Sequence, residues 1–302
     1  MNTVYFNRKI DDDARREQLY AGQLYVYAVS ESTNALCQHA RDMAMEAFAP
    51  YDPCTAQHSM DVEDFVAVLA ELKPKFIHHP KSKQLIQAIL TEFNCDLDKT
   101  YFDVPRLRTV TSDGYLTSGL GYAFKPHRDT WYSPPMSQLN WWLPVFDIES
   151  ENCMAFHPHY WDRPIKNSSN DFNYQDWNQT GRKAAMTFTK SDTRVQSEAL
   201  EELELNPEVR VVTEPGGLLI FSAAHLHSTV PNTSGKTRFS IDFRTVHLGD
   251  LPNNHGAPNI DSECSGTTIR DYLCGSDFTQ IPDDICAIYE NSLTSDPNLQ
   301  SV

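Results

Sequence analysis

Apolar residues recur at two different periods along this chain, and the change falls near residue 100. Before it the spacing is helical. Ser32, Thr33 and Asn34 cap a run through Leu36, Ala40, Met43 and Ala47, which Pro50 and Pro53 end. Asp61 opens a second run over 62–72, and His79-Pro80 separates it from a third over 85–93. A single strand, 23–29, is expected among these helices. From about Tyr101 the period drops to two or to short apolar runs, and strands are expected at 100–104, 107–111, 139–146, 153–156, 209–212, 217–222 and 237–246. Many short strands after a helical start predict a fold that is mainly β with flanking helices, a two-sheet barrel or jelly roll. Pro144, inside one of these runs, points to an edge strand there.

The pattern divides one domain into three stretches: helical support over 1–99, a jelly-roll core over 100–248, and an extension over 249–302 with a helix expected at 281–289. A long polar insertion, 164–207, interrupts the strands and carries a helix-like acidic stretch over 197–205. An insertion of this length reads either as a substrate lid or as a surface excursion.

Within the last expected strand the alternation is clean. Arg238, Ser240, Asp242 and Arg244 fall on one face, Phe239, Ile241 and Phe243 on the other. An apolar face packed on the core turns the polar face toward the barrel interior, where a guanidinium can grip a carboxylate with two parallel hydrogen bonds. Arg244 can serve a substrate or pair with Asp242. One hundred residues separate His127, in the triplet His127-Arg128-Asp129, from His227, which follows a Gly-Gly turn and an apolar strand. In a strand His127 and Asp129 point the same way. Two imidazoles and one carboxylate on one face of an octahedral metal leave positions for cosubstrate and dioxygen, as in non-haem Fe(II) oxygenases. His225 has the same parity as His227, so spacing alone does not choose between them.

Composition narrows the partners. A formal charge of −16 argues against a general nucleic-acid or anionic-membrane binder. The first residues carry no apolar signal core and no later run is long enough to span a bilayer. Seven dispersed cysteines without a CxxC pair fit reduced thiols, and with them a cytoplasmic location. All five tryptophans lie between 131 and 177. Trp131 and Trp142 are candidates for an aromatic substrate wall, with Trp141 and Trp142 on opposite faces of their strand.

The arrangement resembles the iron(II)/2-oxoglutarate-dependent dioxygenases, in particular the phytanoyl-CoA dioxygenase-like branch. The resemblance rests on His127-x-Asp129, on His227-Ser228 with Asn232 five positions on, and on Arg238 and Ser240; the segment from Trp142 through Asn152 to His159 adds to it, with Cys153 where that branch has Gly. It covers roughly residues 100 to 248 and implies a double-stranded β-helix, cupin-like core. It selects His127, Asp129 and His227 as ligands of Fe(II), with His225 lining the site or packed beneath it. It assigns Arg238, helped by Ser240, to the distal carboxylate of 2-oxoglutarate, and makes dioxygen the oxidant. Asn140, Thr117, Arg106 and Arg108 are candidate supporting or cosubstrate contacts. Related halogenases lack the carboxylate, so Asp129 points away from halogenation. The expected activity is oxidation of an unactivated C–H bond of a small molecule by hydroxylation, desaturation or cyclisation, in natural-product or amino-acid-derived metabolism. The rival readings are a non-catalytic jelly-roll binding protein and a 2-oxoglutarate-independent cupin dioxygenase.

Overall fold

Two strands fix the frame. β5 (Leu139–Pro144) and β10 (Arg238–His247) run antiparallel, with Trp142 opposite Asp242 and Asn140 opposite Arg244. Around them an eight-stranded sheet runs in the order β1 (Val4–Phe6), β2 (Leu24–Tyr27), β8 (Leu218–Ser222), β5, β10, β3 (Thr100–Phe102) and β11 (Leu273–Cys274), and β4 (Arg106–Val110) pairs with the first half of β10. A second sheet of three strands holds β7 (Val209–Val211), β6 (Met154–Phe156) and β9 (His227–Thr229). This computed structural model describes residues 3–117, 125–181 and 196–295. The fold is mainly β with flanking helices around a jelly-roll core.

The period of two decides which side chains go where. Trp141, Leu143, Leu218, Ile220, Phe239, Ile241 and Phe243 share one face of the large sheet. There they meet Leu36 and Phe48 of α2 (Glu31–Phe48), Phe65 and Leu69 of α3 (Val62–His78), and Ile86 and Leu90 of α4 (Pro80–Glu92). Each such large side chain, fully buried, contributes about 1.5–3 kcal/mol. Trp142, Leu219 and Phe221 face the opposite way and pack on Met154, Phe156 and Val230. The adjacent tryptophans therefore divide between two cores, and the polar residues of β10 are left between the sheets.

Several elements differ from the sequence reading, each for a local reason. Ser30, not Ser32, caps α2, because Ser30 and Thr33 exchange capping-box hydrogen bonds while the Ser32 hydroxyl goes to Glu92. Helix α1 (Asp12–Tyr20) and strands β1, β9 and β11 are too short or too polar to show a period. The stretch 197–205 is not helical in the structure. It is held open by backbone bonds from Ser168 to Glu198 and from Leu200 to Lys166, and Leu203 packs beside Trp131 and Tyr160. Residues 182–195 of the insertion lie outside the described residues. Pro144 is the last residue of β5, an interior strand, where its missing N–H breaks no ladder.

The C-terminal extension is woven into the core. β11 pairs with β3, and α5 (Asp283–Ser295) closes a cluster in which Tyr101 and Val246 meet Ile269, Tyr272, Ile281 and Tyr289. Asp250 takes hydrogen bonds from Arg16 and Tyr20 of α1. Among the described residues no helix is long and apolar enough to cross a membrane.

Candidate metal centre and active-site cavity

The two histidines meet through backbone pairing. His127 N–H donates to the His227 carbonyl and His227 N–H to the His127 carbonyl, both at 3.0 Å, so the residues form one antiparallel bridge with ring centroids 4.5 Å apart. Asp129 is not in a strand as the sequence suggested. It opens a short 3-10 turn, Asp129–Tyr132, which swings its carboxylate back toward the rings. One donor atom from each of His127, Asp129 and His227 lies within 4.8 Å of the others.

Their hydrogen bonds define which atoms are offered. Nδ1 of His127 lies 2.8 Å from the Lys125 carbonyl and Nδ1 of His227 lies 2.9 Å from the His225 carbonyl. A carbonyl only accepts, so each neutral ring carries its proton on Nδ1 and presents a lone pair at Nε2. Those Nε2 atoms stand 3.3 and 3.9 Å from Asp129 Oδ1. Three electron-pair donors converging in a buried pocket fit a cation between them. Burial, with His127 adding to it, pushes the His227 imidazole down to about 4. Burial alone would raise the Asp129 carboxyl, but His127, Arg244 and His227 hold it well below the usual carboxylate range.

The far oxygen of Asp129 is held by the protein. Asn140 Nδ2 donates to Oδ2 at 2.9 Å, Gln138 Nε2 donates to Asn140 Oδ1 at 2.9 Å, and Tyr272 donates to Gln138 Oε1 at 2.7 Å. Arg244 Nε adds a charge 3.6 Å from the same oxygen. Such partners fix the orientation and basicity of a ligating group. Asn140 thus bears on the carboxylate ligand.

Between the sheets and α3 lies a cavity of about 680 Å³ that reaches His127, Asp129 and His227. One wall holds Arg238, only 4% exposed, beside Trp142. Its Nη1 donates to the carbonyls of Asn152 and Cys153 at 2.9 and 3.3 Å, and its guanidinium carbon is 5.7 Å from the Trp142 ring centroid. Arg238 Nε and Ser240 Oγ are buried with no hydrogen-bond partner. Burial pushes the Arg238 guanidinium down to about 10. A buried cation with an idle N–H and an idle hydroxyl two residues away fits a carboxylate-bearing ligand.

The family model described as Phytanoyl-CoA dioxygenase (PhyH) matches residues 29–240. The chain belongs to the phytanoyl-CoA dioxygenase family. It is a 2-oxoglutarate-dependent dioxygenase by class, and that class uses iron, 2-oxoglutarate and dioxygen. The match takes in helices α2 to α4, ahead of the residues that carry the motifs. The chain is also similar to solved structures at low identity. One is the crystal structure of the non-heme alpha ketoglutarate dependent epimerase SnoN from nogalamycin biosynthesis (14% identity, 78% of this chain and 85% of that one, TM-score 0.39). Another is EvdO2 from Micromonospora carbonacea var. aurantiaca complexed with 2-oxoglutarate (14% identity, 79% and 91%, TM-score 0.44). A comparison with curated protein sequences finds no match.

Two expected contacts of this phytanoyl-CoA dioxygenase family member, Trp131 and Thr117, fall elsewhere, and His225 takes the second of its two expected places. Trp131 is no substrate wall: it is 0% exposed and its indole N–H donates to Asp261 Oδ1 at 2.8 Å. His225 lies beneath the site, its ring 4.5 Å from that of Trp161, and its parity with His227 ends because a turn separates β8 from β9. Thr117 is exposed, at the end of a described stretch, and does not line the cavity among the described residues. Trp142 and Arg244 do line it. Asn232 makes a turn, with Nδ2 donating to the carbonyls of Val110 and Lys236.

Residues that no motif flagged hold the site in place. Arg128, between the two ligands, is 1% exposed and donates to the carbonyls of Ala224, Tyr160 and Arg163 and to Asp261. Asp261 also takes the Trp131 indole and the Ile165 N–H. Asp261→Ala strands a buried guanidinium, and a loss of about 3–5 kcal/mol in stability is expected. Urea unfolding measures it, and an unchanged midpoint would contradict the role. Asp103, Gln138 and Tyr272 likewise carry no sequence signal, because what ties each to the site is a partner far along the chain: Arg244 for Asp103, and each other for Gln138 and Tyr272.

Proposed function

We propose that this protein oxidises an unactivated C–H bond of a small molecule, with His127, Asp129 and His227 holding Fe(II) and Arg238 holding the distal carboxylate of 2-oxoglutarate. The convergence of two Nε2 lone pairs and one carboxylate within 4.8 Å carries this reading. The idle Nε of Arg238, on the cavity wall, supports the cosubstrate assignment, whereas Ser240 is fully buried and is not among the cavity's described lining residues. When bound, iron and 2-oxoglutarate supply the oxidising chemistry, decarboxylation to succinate and carbon dioxide coupled to cleavage of a substrate C–H bond.

The chain itself binds, orients and excludes water. Asn140 and Arg244 engage Oδ2 of Asp129, while Oδ1 faces the Nε2 atoms of His127 and His227, with which it would hold the metal. Trp142, Phe221 and Met154 line the cavity as apolar wall. In so dry a setting the pairing of Arg238 with a carboxylate is stronger than in water. Hydroxylation is the reaction we assign first; desaturation and cyclisation differ only in the fate of the substrate radical. Asp129 in the ligand set favours oxygenation over halogenation. A setting in natural-product or amino-acid-derived metabolism fits a cavity of this size, and the seven free thiols fit the cytoplasm. A non-catalytic jelly-roll protein or a 2-oxoglutarate-independent cupin enzyme gives no account of Arg238.

The test is anaerobic addition of Fe(II) and then 2-oxoglutarate. A weak visible charge-transfer band is expected, and its absence at saturating Fe(II) and 2-oxoglutarate would sink the reading.

A further inference from the structure

Two unlike walls of the cavity begin at the metal ligands. On one side Asp129 Oδ2 faces Arg244 Nε at 3.6 Å, and Arg244 Nη2 faces Asp242 Oδ2 at 3.7 Å. Asp242 in turn takes Arg108 through two bonds, 2.6 and 3.3 Å. Lys73 of α3 lines the same wall, close enough to Arg108 and Asp242 to feel both charges. On the other side the rings lead away from His127. Tyr132 stands edge-on to it at 5.9 Å, Phe172 edge-on to Tyr132 at 5.1 Å, and Trp177 6.4 Å beyond.

Among the described residues the charged wall is not neutral. Its carboxylates are shared: Asp103 takes both Arg106 and Arg244, and Asp242 takes both Arg108 and Arg244. Lys73, Arg106, Arg108 and Arg244 thus stand against Asp103 and Asp242, since Asp129 belongs to the metal. Asp271, the remaining carboxylate of the lining, accepts from the Tyr174 hydroxyl on the aromatic side. A cation excess inside a chain of net charge −16 is selective placement. Burial first, and Arg108 second, push the Lys73 amine down to about 7 against the pull of Asp242.

We propose that the substrate is a small amphiphilic anion, its carboxylate or phosphate seated against Lys73 and Arg108 and its apolar body against Tyr132, Phe172 and Trp177, which presents the C–H bond between them to the metal. This rests on the metal-site reading above. The cavity volume, about 680 Å³, falls in the range of about 300–1,000 Å³ typical of sites for drug-sized molecules. That suits a small molecule beside 2-oxoglutarate.

The experiment uses full-length protein loaded anaerobically with Fe(II) and saturating 2-oxoglutarate, so that Arg238 is occupied. Calorimetry measures binding of aryl-alkyl carboxylates, aryl-alkyl phosphates and the matching neutral alcohols, in a series of chain lengths. At least one anion series should bind about tenfold or more tighter than its alcohols. Lys73→Met should remove that preference and leave alcohol binding unchanged, and Lys73→Arg should keep it. Which series prevails tells carboxylate from phosphate. Equal binding of anions and alcohols, no binding by any anion, or a preference that survives Lys73→Met would overturn the proposal. The visible band of the 2-oxoglutarate complex separates the two levels: its absence in the wild-type protein refutes the metal-site reading, whereas a normal band without anion preference refutes the substrate class alone.

Discussion

His227→Ala abolishes tight metal binding and lowers turnover by more than about a thousandfold, equal to about 4 kcal/mol of transition-state stabilisation. The reason is the donor count. His127, Asp129 and His227 form the one group of three metal-binding side chains that converges among the described residues. Loss of one imidazole leaves a bidentate site and an apolar hole, and the Asp129 carboxylate keeps only His127 opposite Oδ1. Titration of apoprotein with Fe(II) under argon, followed by the visible band with 2-oxoglutarate, measures the effect. His225→Leu is the control. The His225 Nε2 has no hydrogen-bond partner, and the group that supports His227 is the backbone carbonyl of His225, which the substitution retains. Metal affinity within a few-fold of wild type is expected for that variant. Loss of metal with His225→Leu but not with His227→Ala would reverse the assignment.

Arg238→Ala weakens 2-oxoglutarate binding by about 3 kcal/mol, a little over a hundredfold in Kd. Iron affinity stays near wild type, because Arg238 contacts the carbonyls of Asn152 and Cys153 and no metal ligand. The split between the two affinities is the diagnostic. A variant that loses both has a collapsed cavity, which circular dichroism and the unfolding midpoint detect. Arg238→Lys keeps the charge but cannot form two parallel bonds, so it falls between the two. Unchanged 2-oxoglutarate affinity in Arg238→Ala would remove this residue from the cosubstrate site.

Parts of the fold and site could be read from the chain because local pattern and tertiary role agree there. β10 alternates over 238–244, and its apolar face there lies in the helix-covered core while Arg238, Asp242 and Arg244 line the cavity. The Gly216-Gly217 turn and the run that follows it mark β8 equally well. Where sequence and structure part, long-range contacts decide. Residues 197–205 have helical spacing, yet backbone pairing to 166–168 and the packing of Leu203 hold them open. The hold on Asp129 links residue 129 to 140, 138 and 272, and the charged wall links 108 to 242 and 103 to 244. No short window along the sequence contains both 138 and 272, 108 and 242, or 103 and 244. Lys73 reads as one more polar position on an amphipathic helix until β4 is seen beside it.

The wiring of the centre also sets a timetable for the nascent chain. Every proposed iron ligand has left the ribosome once residue 227 is out, and the arginine for the cosubstrate follows at 238. Asp261, which holds Arg128 and Trp131, and Tyr272, which reaches Asp129 through Gln138 and Asn140, emerge only afterwards. Domains generally fold as units during synthesis, and this one acquires part of the support of its ligands after the ligands themselves. A chain that stops short of residue 261 holds the donors and Asn140 but lacks the partner of Arg128 and the far end of the Asp129 relay.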